Sequence, residues 1–257
     1  MAQGRFDRDS EALRRRLLAH ERYGARDLNE WIFGHLRPRR GNAVLDLGCG
    51  TGKQSLPLAK AVGSAGCVVS IDISQDALDS LVAEARAAAV AEWIKVYCRE
   101  LDGFGEDLAE ARFDLVLASF SLYYARDRRR VLEEVHRVLK VGGVVFFCGP
   151  SSRNNLELKS LIASLRGKSS YDTAAVPNFM EVEGPQLARE VFAQTEVFAF
   201  ENPLCFDSVG ALVDYWSAHN LYEEALAPQF KEAAAAHFRT RGEFVNVKRV
   251  IGVRAVK

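Results

Sequence analysis

Short apolar runs alternate with amphipathic segments between residues 43 and 148, and this alternation is the strongest pattern along the chain. The apolar runs predict five buried strands, while leucine, valine and alanine at helical spacing predict helices between them. Continuous apolar strands that alternate with helices indicate a parallel sheet covered on both faces. We predict strands at 43–47, 67–73, 93–98, 113–119 and 144–148, and helices at 53–62, from 74 onward and at 127–139.

The segments on either side of this alternation are expected to be mainly helical. Residues 10–36 form one predicted helix, which Pro38 and Gly41 close, and a polar loop with Pro177 is expected at 167–184. The helices at 10–36 and 207–241 are expected to cover the ligand-binding edge of the sheet. The other predicted elements are helices at 154–165, 186–192, 208–220 and 223–240 and strands at 196–201 and 244–256.

The first predicted strand runs into a turn rich in glycine. Its sequence is Val44-Leu-Asp-Leu-Gly-Cys-Gly-Thr-Gly52, so Asp46 is followed by Gly48, Gly50 and Gly52. Glycine accepts a positive φ and lets a ligand approach the main chain without meeting a Cβ atom. Since ligands of parallel sheets bind beyond the carboxyl ends of the strands, we predict a binding site at this turn.

The charge balance and the cysteine content limit the classes of binding partner and the cellular compartment that fit this chain. Lys plus Arg (34) equals Asp plus Glu (34), so the net charge does not favour nucleic acid or an anionic membrane. The five cysteines are odd in number, far apart and without a Cys-x-x-Cys pair, which favours a reducing compartment over a disulfide framework or a zinc site. No segment resembles a signal peptide or approaches the roughly 20 apolar residues of a membrane span. We expect a cytoplasmic protein with no metal, no membrane association and no nucleic-acid partner.

The glycine turn belongs to a larger pattern that resembles a known family. The further motifs are Asp72 after the second strand, Glu100-Leu-Asp102 after the third and Ala118-Ser-Phe-Ser-Leu-Tyr-Tyr124 after the fourth. With them, residues 42–148 are similar to class I S-adenosylmethionine-dependent methyltransferases of the small-molecule type. The resemblance implies an α/β fold with a doubly wound, Rossmann-like, seven-stranded sheet, mostly parallel with an antiparallel last strand.

The same resemblance implies how the chain is divided. Residues 1–40 would be an N-terminal helical cover and residues 41–150 the S-adenosylmethionine-binding core. Residues 151–257 would supply the remaining strands and an inserted helical substrate cover, all within a single domain.

The resemblance also implies which residues contact the cofactor. The glycine turn would surround its methionine part, with Asp46, Gly48, Gly50 and Gly52. The residues after the later strands and one residue of the N-terminal cover would contact the rest of S-adenosylmethionine and of its product, S-adenosylhomocysteine. These are Asp72 at the ribose hydroxyls, Ile73 at the adenine face, Glu100, Leu101 and Asp102 at the adenine edge and ring, Ser119 and Phe120 beside the cofactor, and Tyr23 folded over it.

Acceptor binding and catalysis are expected from the cover and from the segment after the fourth strand. Tyr123, Tyr124 and Trp216 are candidates for the substrate pocket, and His20, Tyr123 and His219 are candidates for a general base. The implied reaction is direct displacement at the sulfonium methyl by a small organic acceptor, in a monomer or homodimer. The chain lacks the Asn/Asp-Pro-Pro-Tyr/Phe motif that marks DNA-adenine or glutamine methylation in this family.

Other functions share parts of this pattern. A nicotinamide-dependent oxidoreductase also has a glycine turn and an acidic residue about 20 positions later, although Gln54 and Asp46 fit that class less well. A P-loop hydrolase is disfavoured because Leu47 and Gln54 break its spacing. A methyltransferase-like binding protein without turnover remains a further alternative.

Overall fold

The structure is a computed structural model that describes residues 10–174 and 179–257. Pro177 of the predicted polar loop lies outside the described residues. The strands are β1 Ala43–Leu47, β2 Cys67–Asp72, β3 Ile94–Cys98, β4 Phe113–Ser119, β5 Leu139–Pro150, β6 Gln194–Phe206 and β7 Phe244–Val256. The α-helices are α1 Ser10–Tyr23, α2 Leu28–Leu36, α3 Ser55–Val62, α4 Gln75–Ala87, α5 Arg128–Val138, α6 Leu156–Leu165, α7 Glu183–Val191, α8 Val209–Ser217 and α9 Ala227–Arg241.

The strands form one seven-stranded sheet in the order β3-β2-β1-β4-β5-β7-β6. Strand β1 pairs in parallel with β2 on one side and β4 on the other, and β4 pairs in parallel with β5. Strand β7 pairs antiparallel with β5 and is inserted between β5 and β6. The predicted fold class is therefore confirmed: a doubly wound, mostly parallel sheet in which the last strand of the chain is antiparallel.

The central strands are buried because helices cover them, as their continuous apolar sequences require. Val44, Leu45 and Leu47 of β1 have no exposed surface. Helix α5 begins where the Asp127 side chain accepts the N–H of Arg130 at 3.0 Å, and it buries one apolar stripe against the sheet core. In the same way, the Ser74 hydroxyl caps α4 by accepting the N–H of Ala77.

The described chain divides into two compact units. One comprises residues 10–27, 152–174 and 200–249, and its core contains Trp216 stacked on Phe230, with ring centroids 3.9 Å apart. The other comprises residues 28–151, 179–199 and 250–257 and contains β1 to β5. The single domain with helical covers at 1–40 and 151–257 stays a prediction.

The prediction of one helix at 10–36 is wrong, because the chain turns a corner at Gly24. Its N–H bonds to the His20 carbonyl at 3.1 Å, and Gly24 forms an isolated antiparallel bridge with Leu204. A Cβ atom at Gly24 would lie only 2.4 Å from the His20 oxygen. This close approach needs glycine, and it separates α1 from α2.

The corner between α1 and α2 is closed by one buried amide side chain. Oδ1 of Asn202 accepts the N–H groups of Ala25 at 2.8 Å and Arg26 at 2.9 Å, and Nδ2 of Asn202 donates to the Arg26 carbonyl at 2.9 Å. Three main-chain groups that lack helical partners are thereby satisfied.

The predicted start of β5 at residue 144 is also wrong. Helix α5 ends at Val138, close to the predicted 139, but Gly142 and Gly143 lie inside β5, whose first residue, Leu139, pairs with Phe113. The pairing register shifts between Phe113 and Leu115, which accommodates the extra residues of β5.

Replacing Gly24 by alanine should lower the free energy of unfolding by about 1–3 kcal/mol, since the new methyl group has no space. Gly34→Ala is the matched control. Gly34 lies on the exposed face of α2 with no atom within 4 Å of an added Cβ, so alanine should stabilise by up to about 1 kcal/mol. Urea unfolding of the two variants measures the difference, and equal effects would contradict the steric explanation.

Candidate active site at the end of the central strands

The glycine turn lies at the point where the strand order reverses. The chain moves from β1 outward through β2 to β3 and then returns to the other side of β1 with β4. Ligands of open α/β sheets bind outside the carboxyl ends of the strands at such a point. The turn after β1 and the residues after β4 meet there, since the Ser121 hydroxyl donates to the Leu47 carbonyl.

Crowding explains two of the three glycines of the turn. A Cβ atom at Gly48 would lie 2.2 Å from Cβ of Ser121, and one at Gly52 would lie 2.2 Å from Cδ1 of Leu81. At these positions glycine serves contact with the protein itself. Gly50 differs, because it has a φ of 54° and, among the residues that the structure describes, no atom lies within 4 Å of an added Cβ. Gly50 is therefore the glycine at which a ligand can approach the main chain.

Asp72 fixes the conformation of the turn. Its Oδ2 accepts the N–H of Gly50 at 2.8 Å, and its Oδ1 accepts the N–H of Ser74 at 2.9 Å. The N–H groups of Gly48 and Cys49 bond to the Ile71 carbonyl on the same strand. One carboxylate therefore joins the glycine turn to the start of the segment that leads into α4.

Asp46 lies beneath the turn and is not open to solvent. Only 1% of its surface is exposed, and its Oδ2 accepts the Ser55 hydroxyl at 2.6 Å. The Ser70 hydroxyl in turn donates to Ser55 at 2.9 Å. Burial raises the pKa of Asp46 to about 7, the negative charge of Asp72 acts in the same direction, and the Ser55 hydrogen bond opposes them. The structure therefore places Asp46 in a buried hydrogen-bond chain.

Two amides that the sequence analysis did not select tie α2 to this turn. Nε2 of Gln54 donates to Oδ1 of Asn29 at 2.9 Å, and Nδ2 of Asn29 donates to the Lys53 carbonyl at 3.1 Å. Gln54 is buried, which no pattern along the chain indicates. Sequence reasoning used Gln54 only as a mismatch to other glycine motifs.

The residues after β2 present an apolar surface next to a carboxylate. Ile73 is 60% exposed, although it directly follows Asp72 at the end of a buried strand. Exposure of a large aliphatic side chain beside the turn is the property expected of a wall for a flat apolar ring. The contact of Ile73 with the adenine face stays a prediction.

Glu100 and Asp102 are engaged by the segment before α5. Glu100 forms an ion pair with Arg126 at 2.5 Å, and Asp102 accepts the N–H groups of Arg126 at 3.0 Å and Asp127 at 2.9 Å. Partial burial acts to raise the pKa of Asp102, but these N–H groups and the Arg126 charge outweigh it and lower the pKa. Leu101 packs against the sheet core. Asp102 therefore closes a loop, which leaves the more exposed Glu100 as the better candidate for a ligand contact.

The segment after β4 takes an unusual backbone course. Phe120 has a φ of 58°, a left-handed conformation that is rare for a bulky residue, and its N–H bonds to the Cys148 carbonyl. The Ser121 hydroxyl then donates to the Leu47 carbonyl at 2.6 Å. Ser119 lies at the end of β4, with its hydroxyl 3.6 Å from the sulfur of Cys148. Strain of this kind clusters at functional sites.

The two tyrosines that follow differ in exposure. Their ring centroids are 4.5 Å apart, Tyr123 packs against the sheet core, and Tyr124 is 46% exposed. Tyr124 is thus the more accessible of the two candidates for substrate contact.

The remaining candidates lie in the unit that contains α1, α8 and α9. The Tyr23 ring packs on Phe206 at 4.9 Å, and the His20 ring meets Tyr215 edge-on at 5.9 Å. Trp216 is fully buried, so it is a core residue of this unit rather than an open wall.

His219 also lies in the interior of that unit. Its Nε2 is 3.0 Å from the amide nitrogen of Asn155. Burial, together with the positive charges of Arg16 and Lys159, lowers the pKa of His219 to about 3. A neutral, weakly basic imidazole in this setting is suited to a structural role.

Two further observations concern metals and membranes. Among residues 10–174 and 179–257, no three His, Cys, Asp or Glu side chains converge as a metal site would require. None of the helices in this described part has the length and apolar character needed to cross a lipid bilayer.

Comparison with known proteins agrees with the geometry. Residues 44–143 match the family model of a methyltransferase domain. A demethylmenaquinone methyltransferase of Lactobacillus johnsonii is 32% identical over 159 residues, which cover 61% of this chain and 62% of that protein. An aklanonic acid methyltransferase of a Streptomyces species is 33% identical over 117 residues, covering 45% of this chain and 51% of that protein. These matches span less than two thirds of either relative.

A solved structure supports the fold. The arsenic(III) S-adenosylmethionine methyltransferase of Chlamydomonas reinhardtii aligns with a TM-score of 0.53 at 23% identity, over 86% of this chain and 65% of that one.

The fold, the glycine turn and the family match point to the same class of protein. Residues 44–143 match a methyltransferase domain, and the observed sheet agrees with the resemblance to class I S-adenosylmethionine-dependent methyltransferases. The cofactor of this class is S-adenosylmethionine, as predicted, and the comparisons give no support to the nicotinamide-dependent alternative.

The buried carboxyl of Asp46 should make stability depend on pH. Since its pKa is about 7 in the folded chain and about 4 when unfolded, unfolding releases a proton between these values, and stability falls as pH rises from 4 to 7. The Asp46→Asn variant has no such proton to release. The unfolding free energy of the variant minus that of the parent should therefore increase by on the order of 4 kcal/mol as pH rises from 4 to 7. Urea titrations at several pH values measure the difference, and a constant difference would contradict the raised pKa.

Asp72→Asn should loosen the glycine turn. Asparagine keeps one acceptor oxygen but directs an amide N–H₂ at the other main-chain N–H, which should lower the unfolding free energy by about 1–3 kcal/mol. Asp76→Asn is the control, since Asp76 is exposed in the first turn of α4 and carries the same charge. Chemical denaturation compares the two, and equal losses would show that charge rather than the two hydrogen bonds matters.

Proposed function

We propose that this protein transfers the methyl group of S-adenosylmethionine to a small organic molecule. The observation that carries the proposal is the turn at the strand-order reversal, in which Gly48 and Gly52 are packed against protein while Gly50 is open. The φ of 54° by itself favours glycine at position 50, so the support comes from the combination of this open main chain with the exposed apolar side chain of Ile73 after the neighbouring strand. The matching methyltransferase family supports the same function.

The residues present suit the cofactor. When bound, S-adenosylmethionine supplies an electrophilic methyl group on a positively charged sulfur. The Gly50 main chain would allow the methionine part to approach, and Ile73 would contact the adenine face. Each Asp72 oxygen accepts one main-chain N–H and keeps a lone pair, so it can also accept a ribose hydroxyl.

Other predicted cofactor contacts are revised within the proposal. Glu100 and Leu101 are retained at the adenine site. Ser119 and Phe120 are retained beside the cofactor, because the residue that follows them, Ser121, packs against Gly48. Asp46 would act indirectly, by supporting the turn from beneath.

Class I methyl transfer needs little from the protein beyond alignment of the acceptor and exclusion of water, which together supply roughly 7–11 kcal/mol at most. Tyr124 is the proposed contact for the acceptor, because it is exposed in the segment after β4. Tyr123 and His20 remain candidate general bases, and His219 becomes a weaker one because its imidazole is a poor base.

The acceptor is proposed to be small and organic. The names of two relatives, a demethylmenaquinone methyltransferase and an aklanonic acid methyltransferase, support this class. The balanced charge supports the absence of a nucleic-acid partner, and the cysteine pattern supports a reducing, cytoplasmic location. A monomer or homodimer remains the proposed assembly.

Activity is tested by mass-spectrometric detection of S-adenosylhomocysteine after incubation with S-adenosylmethionine and a panel of small acceptors that includes demethylmenaquinone. Acceptor-dependent product formation supports the proposal. Tight binding of S-adenosylhomocysteine with no transfer to any acceptor would support the binding protein without turnover. No binding of either nucleoside would reject both.

Gly50→Ala should weaken cofactor binding while lowering the stability of the folded protein only by the cost of a strained backbone. The added methyl group would enter the open space at the turn, so affinity for S-adenosylhomocysteine should fall at least about tenfold, while left-handed strain costs about 1–2 kcal/mol of stability. Gly142→Ala is the matched control, since Gly142 has a φ of 75° and equally open surroundings in β5. Calorimetry should find normal affinity in Gly142→Ala, and normal affinity in Gly50→Ala would reject the site.

A further inference from the structure

A cavity of about 340 Å³ lies in the unit formed by residues 10–27, 152–174 and 200–249. None of the residues that line it has a role in the proposed methyl transfer. Such a volume is within the range of small-molecule sites. Its wall combines apolar and basic side chains: Ile162, Leu221, Tyr171, Lys159, Arg166 and Lys168.

The cavity is built by the way α6 ends. Gly167 has a φ of 72°, and the Lys168 N–H returns to the Ala163 carbonyl at 3.0 Å. A left-handed residue at this position reverses the chain after a helix. The reversal carries the segment 168–172 back along α6, where Tyr171 and Lys159 face each other.

Lys159 is the central basic group of the cavity. It is half-buried, and its ammonium lies 5.1 Å from the centroid of the Tyr171 ring. Burial lowers the pKa of Lys159 below its ordinary value. Among the described residues, no carboxylate lies within ion-pairing distance of its ammonium. A partly desolvated cation without a counter-ion is costly, and a bound anion would relieve that cost.

The surrounding charges favour an anion as well. Lys168 is exposed and, within the described chain, has no ion-pair partner, whereas Arg166 is paired with Glu223. Asp172 also lines the cavity, and its Oδ1 accepts the N–H of Ala174 at 2.9 Å. Nearby, the positive charges of Arg16 and Lys159 both act to lower the pKa of His219.

We propose that this cavity binds a small organic anion, whose negative group pairs with Lys159 and Lys168 and whose apolar part packs on Ile162, Leu221 and Tyr171. The apolar wall makes an aromatic carboxylate a better ligand than an inorganic anion, since both parts of the molecule would then find a partner. None of the residues that line the cavity belongs to the glycine turn, and the existence of the cavity does not depend on the proposed methyl transfer.

The probe is 1-naphthoate, titrated into the whole protein by isothermal calorimetry, with the neutral 1-naphthalenemethanol as its uncharged counterpart. Saturable binding of 1-naphthoate that is much tighter than that of the alcohol and weakens in high salt is expected. Absence of saturable 1-naphthoate binding, or equal affinity for the alcohol, would overturn the proposal.

Lys159→Met keeps the length of the side chain and removes its charge, so affinity for 1-naphthoate should fall at least about tenfold. Lys159→Arg should retain most of the affinity. Lys231→Met, an exposed site on α9 in the same unit, is the control for net charge and should bind normally. If Lys159→Met fails to fold, the exposed Lys168→Met should still weaken binding several-fold. Unchanged affinity for 1-naphthoate in folded Lys159→Met, or in Lys168→Met if the former does not fold, would overturn the assignment.

Titration with S-adenosylhomocysteine in parallel separates the two proposals. Binding of 1-naphthoate without binding of the nucleoside would leave the cavity in place and reject the methyltransferase site. The reverse result would reject the cavity alone.

Discussion

The site depends on how closely the chain approaches itself at the end of β1. Gly48 has no side chain because Ser121 occupies that space, and the Ser121 hydroxyl bonds to the last carbonyl of the strand. Asp72 holds the other side of the turn through the N–H of Gly50. These contacts join the ends of three neighbouring strands, so the open position at Gly50 is fixed by the sheet and not by a flexible loop. A cofactor that binds there meets a surface already in place, which limits the entropy lost on binding.

The buried chain of Asp46, Ser55 and Ser70 supports this turn from below. It lies between β1, β2 and the start of α3, where apolar packing alone would leave the strand end without directional contacts. A buried carboxyl is costly unless it is hydrogen-bonded or neutral, and the raised pKa reflects that cost. The same aspartate that marks the family motif in sequence thus serves the shape of the site more directly than it serves the ligand.

Most of the sheet could be predicted because its signal is local and periodic. The bounds predicted for β1, β4 and β7 agree with the structure. Contacts between distant segments could not be read in this way. Nothing along the chain indicates that Gly24 touches residue 204, that Gln54 bonds to Asn29, or that Trp216 and His219 are enclosed. The motif residues were therefore found from the sequence. Only the three-dimensional structure showed that Gly50 is open, that Gly48 is packed against protein, and that Asp102 closes a loop.

The amide of Asn202 has a consequence for how the protein is made. It satisfies the corner after α1 from a position 176 residues further along than Arg26. During synthesis, α1 leaves the ribosome long before this partner exists, so the main-chain groups of its corner stay hydrogen-bonded to water while the strands β1 to β5 emerge. The unit that contains α1 can close only after β6 has been translated, so α1 is without this partner for most of synthesis.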